Sequence, residues 1–335
     1  MTTEQIPTNS AIAELLKLAS NHMESCDYDV AYNLCNQALE KDSNNLDALE
    51  MTGVVELELG NFESAREHLL KAVSLSPDQG YSKYMYLGQL SHELESIGFF
   101  SRGVELMGEE LKTLQENSPE ALELARRISS ALCSMAEIYL TDCCFEPNAE
   151  SQCETFVSSA ITVDPSNPEV YQTLASIRLS QQRNDEAKEA VEKSMSLWIK
   201  LEPGHPGIPN YDARIGLVKL LMEMGLFEGA LNVLEGLQKE DDEVVELWYL
   251  YGWAYYLLGE DKSDEEKVGN WEDARECLES AIKYYHKLQS EDEGILQHCQ
   301  ELLQVIIGVV GPSVEEEEEI VDGDIEFGSD DEMEE

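Results

Sequence analysis

The feature that most constrains this chain is a self-similarity at a spacing of 34 residues. Ala31, Cys35, Ala38 and Ser43 recur as Ala65, Leu69, Ala72 and Pro77, and upstream of them Leu15, Leu18 and Ala19 recur as Leu49, Thr52 and Gly53. A period in this range belongs to architectures in which one small unit cannot bury its apolar face alone and stacks on its copies. Within each half the apolar residues fall three or four apart, which is the helical period. The small residues at fixed places let two antiparallel helices approach closely, and Pro77 stops the second helix so that the next pair can begin.

These residues resemble the tetratricopeptide repeat, whose first helix carries a large residue, Leu-Gly and Tyr, and whose second carries Ala, a large apolar residue, Ala and Pro. The resemblance implies an all-α superhelical solenoid, and seven hairpins can be placed. The first two run over 12–45 and 46–79. The third has Tyr84, Leu87, Gly88, Gly103 and Met107, with extra residues over 94–99. The fourth has Met135, Ala136, Tyr139, Cys153, Val157, Ala160 and Pro165, with an insertion over 142–148, and the fifth has Tyr171, Leu174, Ala175, Ala187, Val191 and Ser194. After a loop rich in Pro and Gly over 201–209, the sixth has Leu217, Leu221, Ala230, Leu234 and Leu237. The seventh has Trp248, Tyr251, Gly252 and Tyr255, then a charged insert over 259–270, then Ala274, Leu278 and Ala281. The expected organisation is a flexible N-terminus over 1–10, the array over 11–288, a capping helix over 294–310 and a disordered acidic tail over 313–335.

Charge narrows the partner. Sixty-nine acidic residues face 22 basic ones, a net charge of −47. Residues Glu315 to Glu335 hold 13 of the carboxylates and no Lys or Arg, leaving 56 acids against 22 bases, −34, on the rest. Such a surface repels phosphate backbones and anionic lipid and steers cationic partners inward. Direct nucleic-acid and membrane ligands are therefore not expected, and a basic protein is.

Chemistry-bearing motifs are missing. The eight cysteines form no C-x-x-C pair, Cys143 and Cys144 are adjacent, and Cys35 and Cys153 fall on repeat core positions. The six histidines are scattered, and no phosphate-cradling glycine loop, H-E-x-x-H or G-x-S-x-G is present. No enzyme, metal or cofactor is expected. No basic region followed by an apolar run opens the sequence, and the thiols read as reduced, in the cytoplasm and nucleus.

In the family the first helices line the concave face. Carried over, its inward positions give Asp47, Glu50, Val54 and Leu57 in the second unit, Cys133, Glu137 and Leu140 in the fourth, and Glu169, Gln172 and Leu179 in the fifth. The sixth gives Asp212, Ile215, Lys219 and Met222, and the seventh gives Glu246, Tyr249, Trp253 and Tyr256. The candidate partner-binding groove thus carries carboxylates along one track and apolar or aromatic residues along another, suited to a segment of alternating basic and apolar side chains. Trp248, Tyr251 and Tyr255 are expected in the core. The basic clamp that co-chaperone members use for acidic peptides is not matched, since Leu16, Ser20 and Glu50 stand at its positions.

The repeats, the acidic body and the acidic tail resemble the fungal assembly chaperones of large-subunit ribosomal protein L4. That resemblance implies a dedicated chaperone that takes the client's long basic internal extension in its groove, keeps it soluble, and delivers it for large-subunit ribosome assembly. Two other classes use the same features: a scaffold subunit of a nuclear or cytoplasmic complex, and a histone-type acidic chaperone. Arg126-Arg127 is the only paired basic dipeptide, so nuclear entry is expected to ride on a partner. Ser329 before Asp330-Asp331-Glu332 looks like an acidic-directed kinase site.

Overall fold

The structure is a computed structural model that describes residues 8–260 and 262–311. Those residues form fifteen helices and no strand, in two compact units that divide between Leu197 and Trp198. The first unit holds α1 (Thr8–Glu24), α2 (Tyr28–Lys41), α3 (Leu46–Glu58), α4 (Phe62–Leu75), α5 (Ser82–Leu90), α6 (Glu93–Leu111), α7 (Pro119–Leu140), α8 (Ala149–Val163), α9 (Pro168–Ser180) and α10 (Asn184–Ser196). The second holds α11 (Tyr211–Glu223), α12 (Phe227–Gln238), α13 (Val245–Glu260), α14 (Asp264–Leu288) and α15 (Glu293–Val310). Consecutive helices pair as hairpins, five in the first unit and two in the second, and α15 packs on α14 and α13.

Local chemistry sets the helix ends. Asn45, Ser118, Asn167, Asn210 and Asp292 each accept a hydrogen bond from a backbone N–H of the first turn that follows. Gly60, with φ +75°, follows the end of α3 in the left-handed conformation that closes a helix at least steric cost. The small residues do what the repeat requires. A Cβ on Gly53 would sit 2.7 Å from Leu69 Cγ, and one on Gly252 would sit 2.5 Å from Leu278 Cγ. Ala31, Ala38, Ala65, Ala72, Ala274 and Ala281 are fully buried at the facing positions. The 34-residue period is therefore a packing period.

The sequence boundaries need adjustment. The first helix starts at Thr8 rather than after residue 10. The extra residues over 94–99 lie inside α6. Most of the charged insert over 259–270 is helical, because Asp264, Glu265 and Glu266 place negative charge on the first turn of α14, where the helix dipole favours it. That added length buries Trp271 against Gly259. By contrast, 142–148 does form a turn between α7 and α8. The tail expected over 313–335, with Ser329, lies outside the described residues.

The candidate partner-binding faces

All eight arginines of the chain pair with its own carboxylates: Arg66, Arg102, Arg126, Arg127, Arg178, Arg183, Arg214 and Arg275. Several of these pairs join neighbouring hairpins. Arg178 on α9 reaches Glu154 on α8, and Arg66 on α4 reaches Glu95 on α6 at 2.6 Å. Arg214 is buried and grips Glu240 with both terminal nitrogens, at 2.8 and 2.5 Å. The arginines are thus all engaged by the protein's own carboxylates, and a large carboxylate excess remains.

In the first unit, α1, α3 and α5 line a recess of about 720 Å³. Leu16, Met51 and Val54 give it apolar walls, and Asp47 and Glu50 supply carboxylates. Asp47 is exposed. Glu50 is not free: it holds the ammonium of Lys83, a side chain only 1% exposed, at 3.0 Å, while Lys83 also bonds the backbone oxygen of Gln79. Sequence reading missed Lys83 and Lys17, which both face this recess. The only signal for Lys83 was its spacing of 33 residues from Glu50, one short of the repeat. Leu57 lies further along α3, half-buried and outside the recess lining.

Glu137 and Glu169 come together from α7 and α9, neighbouring first helices that touch each other directly. Thr173 donates to Glu137 at 3.1 Å. Crowding by the protein, then the negative charge of Glu169, hold the Glu137 carboxyl above its ordinary range, against the opposing hydrogen bond from Thr173. Burial also raises Glu169, and Arg126 partly offsets it. Cys133 beneath them is buried rather than groove-lining, and burial pushes its thiol up to about 12.

In the second unit Asp212 is exposed, while Glu246 carries Lys219 at 2.6 Å. Met222 and Ile215 are core residues, with 6% of each exposed, so neither offers a contact on an open groove. The aromatic track also differs from expectation. Tyr249 and Trp253 stack on each other at 5.8 Å and both meet His298 of α15, and the Tyr249 hydroxyl lies 2.8 Å from His298 Nδ1. Tyr256 stacks on Trp271 at 5.0 Å. All three pack on the cluster around Cys299, Leu302 and Ile306, so α15 already covers much of this track. Trp248 is half-buried instead of filling the space between its two helices. It stacks on Tyr284, meets Tyr251 at a 34° tilt, and donates Nε1–H to the Asp242 carbonyl at 2.6 Å. The fully interior tryptophan of this hairpin is Trp271.

Among the described residues no His, Cys, Asp and Glu cluster could hold a metal, and no helix is long and apolar enough to cross a membrane.

Tetratricopeptide-repeat sequence patterns match residues 16–80, 168–197 and 215–267. A Schizosaccharomyces pombe protein described as "Probable assembly chaperone of rpl4" is 36% identical over 285 residues, covering 81% of this chain and 83% of that protein. An Emericella nidulans protein of the same description is 35% identical over 339 residues, covering 93% of this chain and 85% of its own. A solved structure described as the assembly chaperone of RpL4, Acl4, superposes with a TM-score of 0.68 at 35% identity, covering 74% of this chain and 97% of that one. A tetratricopeptide protein from Parabacteroides merdae, 15% identical with a TM-score of 0.53 and covering 89% of this chain and 99% of its own, shares the fold alone. With relatives this similar over most of both lengths, the chain belongs to the tetratricopeptide-repeat family of rpl4 assembly chaperones.

Proposed function

We propose that this protein is a dedicated assembly chaperone of ribosomal protein L4, acting by binding alone. The observation that carries the reading is identity of about 35% with relatives so described, extended over nearly the whole chain. The physical rationale is charge. A free ribosomal protein presents Lys and Arg that would bind any RNA at hand, and an acidic binding face competes for them until ribosomal RNA displaces it.

The client's basic internal extension would lie on the inner faces built by the first helices. Asp47 at the first recess and the Glu137–Glu169 pair are the accessible carboxylates there, with Leu16, Met51 and Val54 offering apolar contact beside Asp47. Two carboxylates whose charge is disfavoured in the empty protein would gain most from an arriving cation, because it removes their mutual repulsion. In the second unit Asp212 is an exposed carboxylate at the corresponding first-helix position. We place the activity in the cytoplasm and nucleus, with nuclear entry through a partner.

The test is the identity of the most abundant protein that co-purifies with a tagged copy at low salt. L4 in stoichiometric amount is the expected result. A set of neutral or acidic subunits would point to a scaffold, and core histones to a different acidic chaperone.

A further inference from the structure

The stripe of α13 formed by Trp248, Tyr251 and Tyr255 faces away from the Tyr249–Trp253 stripe that α15 covers. Successive spacings of three and four residues put the three rings in one line. Tyr251 and Tyr255 stand 6.2 Å apart and only 12° from parallel, and Trp248 continues the ladder at 5.9 Å from Tyr251. The ladder floors a slot of about 520 Å³ between α12 and α14, the second helices of consecutive hairpins. The slot is therefore on the outer side of these hairpins, separate from the inner faces assigned above to the client.

Its walls are acidic. Asp273 and Glu276 stand on α14 and Glu235 on α12, all exposed. Glu235 has Lys239 beside it at 2.7 Å, one helical turn away on the surface. Asp273 and Glu276 are different: among the described residues neither carboxylate has a cation within ion-pair distance or receives a side-chain hydrogen bond. Partial burial, then the charges of Glu276 and Glu272, push the Asp273 carboxyl above its ordinary range. Aromatic faces carry negative potential, so rings and carboxylates here point the same sign of field into one cavity. None of the eight arginines lines this aromatic-floored slot.

We propose that the slot binds an arginine on an exposed, extended basic segment of a partner protein, its guanidinium lying on the half-buried rings of Tyr255 and Trp248 above the buried Tyr251, and its N–H fork meeting Asp273 and Glu276. Arginine fits better than lysine because its charge is planar, stacks on rings and offers paired donors to carboxylates. The occupant needs no particular identity, so the inference stands apart from the assignment of L4 as client.

The test uses the full chain with ¹⁵N-labelled tryptophan. Its four indole signals, from Trp198, Trp248, Trp253 and Trp271, report four separate places. The probe is a blocked Gly-Arg-Gly-Arg-Gly peptide, compared with the same peptide carrying neutral citrulline. The arginine peptide should shift the Trp248 signal saturably and the citrulline peptide should not. In the D273N/E276Q double variant the affinity read at Trp248 should fall at least about tenfold. Its melting temperature should not fall, since the substitutions remove repulsion. Tyr255→Leu, which leaves the carboxylates in place, should weaken binding as well, and the Trp198 and Trp271 signals verify that each variant is folded. A Trp248 signal that stays still while the peptide binds elsewhere would overturn the proposal. So would equal affinity in the double variant.

Discussion

The hydroxyl of Tyr249 on α13 lies 2.8 Å from Nδ1 of His298 on α15, and Trp253 meets the same imidazole edge-on at 5.3 Å between ring centres. One histidine thus keys the last helix onto the aromatic stripe of the seventh hairpin. A solenoid must cover the apolar face of its final repeat, and here the cover takes side chains that the repeat pattern alone would leave open for a partner.

This gives Trp253 a structural role. Trp253→Ala should lower stability by about 2 kcal/mol, less than a fully buried tryptophan because the side chain is only half covered. Trp271→Ala, at a position 3% exposed, should cost about 3–5 kcal/mol. Hydrogen exchange along α15 should rise in both Trp253→Ala and His298→Ala. A Trp253→Ala protein with unchanged melting and unchanged exchange would show that α15 does not depend on the stripe.

Asp47 and Glu50 should separate sharply despite lying one turn apart. Asp47→Lys should change stability by less than about 0.5 kcal/mol, as an exposed substitution, and slow client association. Glu50→Lys should destabilise by about 3 kcal/mol, because it leaves the buried Lys83 ammonium facing a second cation. Urea unfolding of the two variants measures the difference, and equal midpoints would contradict the buried ion pair.

The Glu137–Glu169 pair gives a pH signature. Both carboxyls are raised in the folded protein, so between the ordinary carboxylate range and the folded value the folded state holds more protons than the unfolded chain. Their contribution to stability is then fully present below the unfolded value and is lost as pH rises through the folded one. Glu137→Gln removes that pH-dependent loss. It should make the protein more stable than the parent at neutral pH, with the advantage shrinking as pH falls through the raised folded value and gone below pH about 4. Melting temperatures across that range test it, and a variant less stable at neutral pH would contradict the sign.

The hairpin architecture was legible in the sequence because Ala31, Ala38, Ala65, Ala72 and Gly53 stand where helix backbones nearly touch, and no larger residue fits those places. The meeting of Glu137 and Glu169 was legible for a related reason, since first helices repeat their facing at fixed positions. Face assignment could not show occupancy. Tyr249 and Trp253 lie on one stripe by spacing, but their cover is a helix more than forty residues later in the chain. Nor could periodicity foresee Lys83 crossing to Glu50, or the charged insert lengthening α14. Those outcomes depend on which partners meet across hairpins, and the repeat length does not encode that.

The central claim, capture of L4 by inner-face carboxylates, is tested most directly by the affinity of purified L4 for the full chain across a salt titration. Raising salt from 0.1 to 1 M shortens the screening length from about 10 Å to about 3 Å. The account expects affinity to fall steeply over that range. An E137Q/E169Q variant should bind about tenfold more weakly at the low-salt end, from the loss of two solvent-accessible ion-pair contacts of up to about 1 kcal/mol each, and should converge with the parent at 1 M. Absence of L4 binding, or an affinity flat with salt and indifferent to both substitutions, would contradict it.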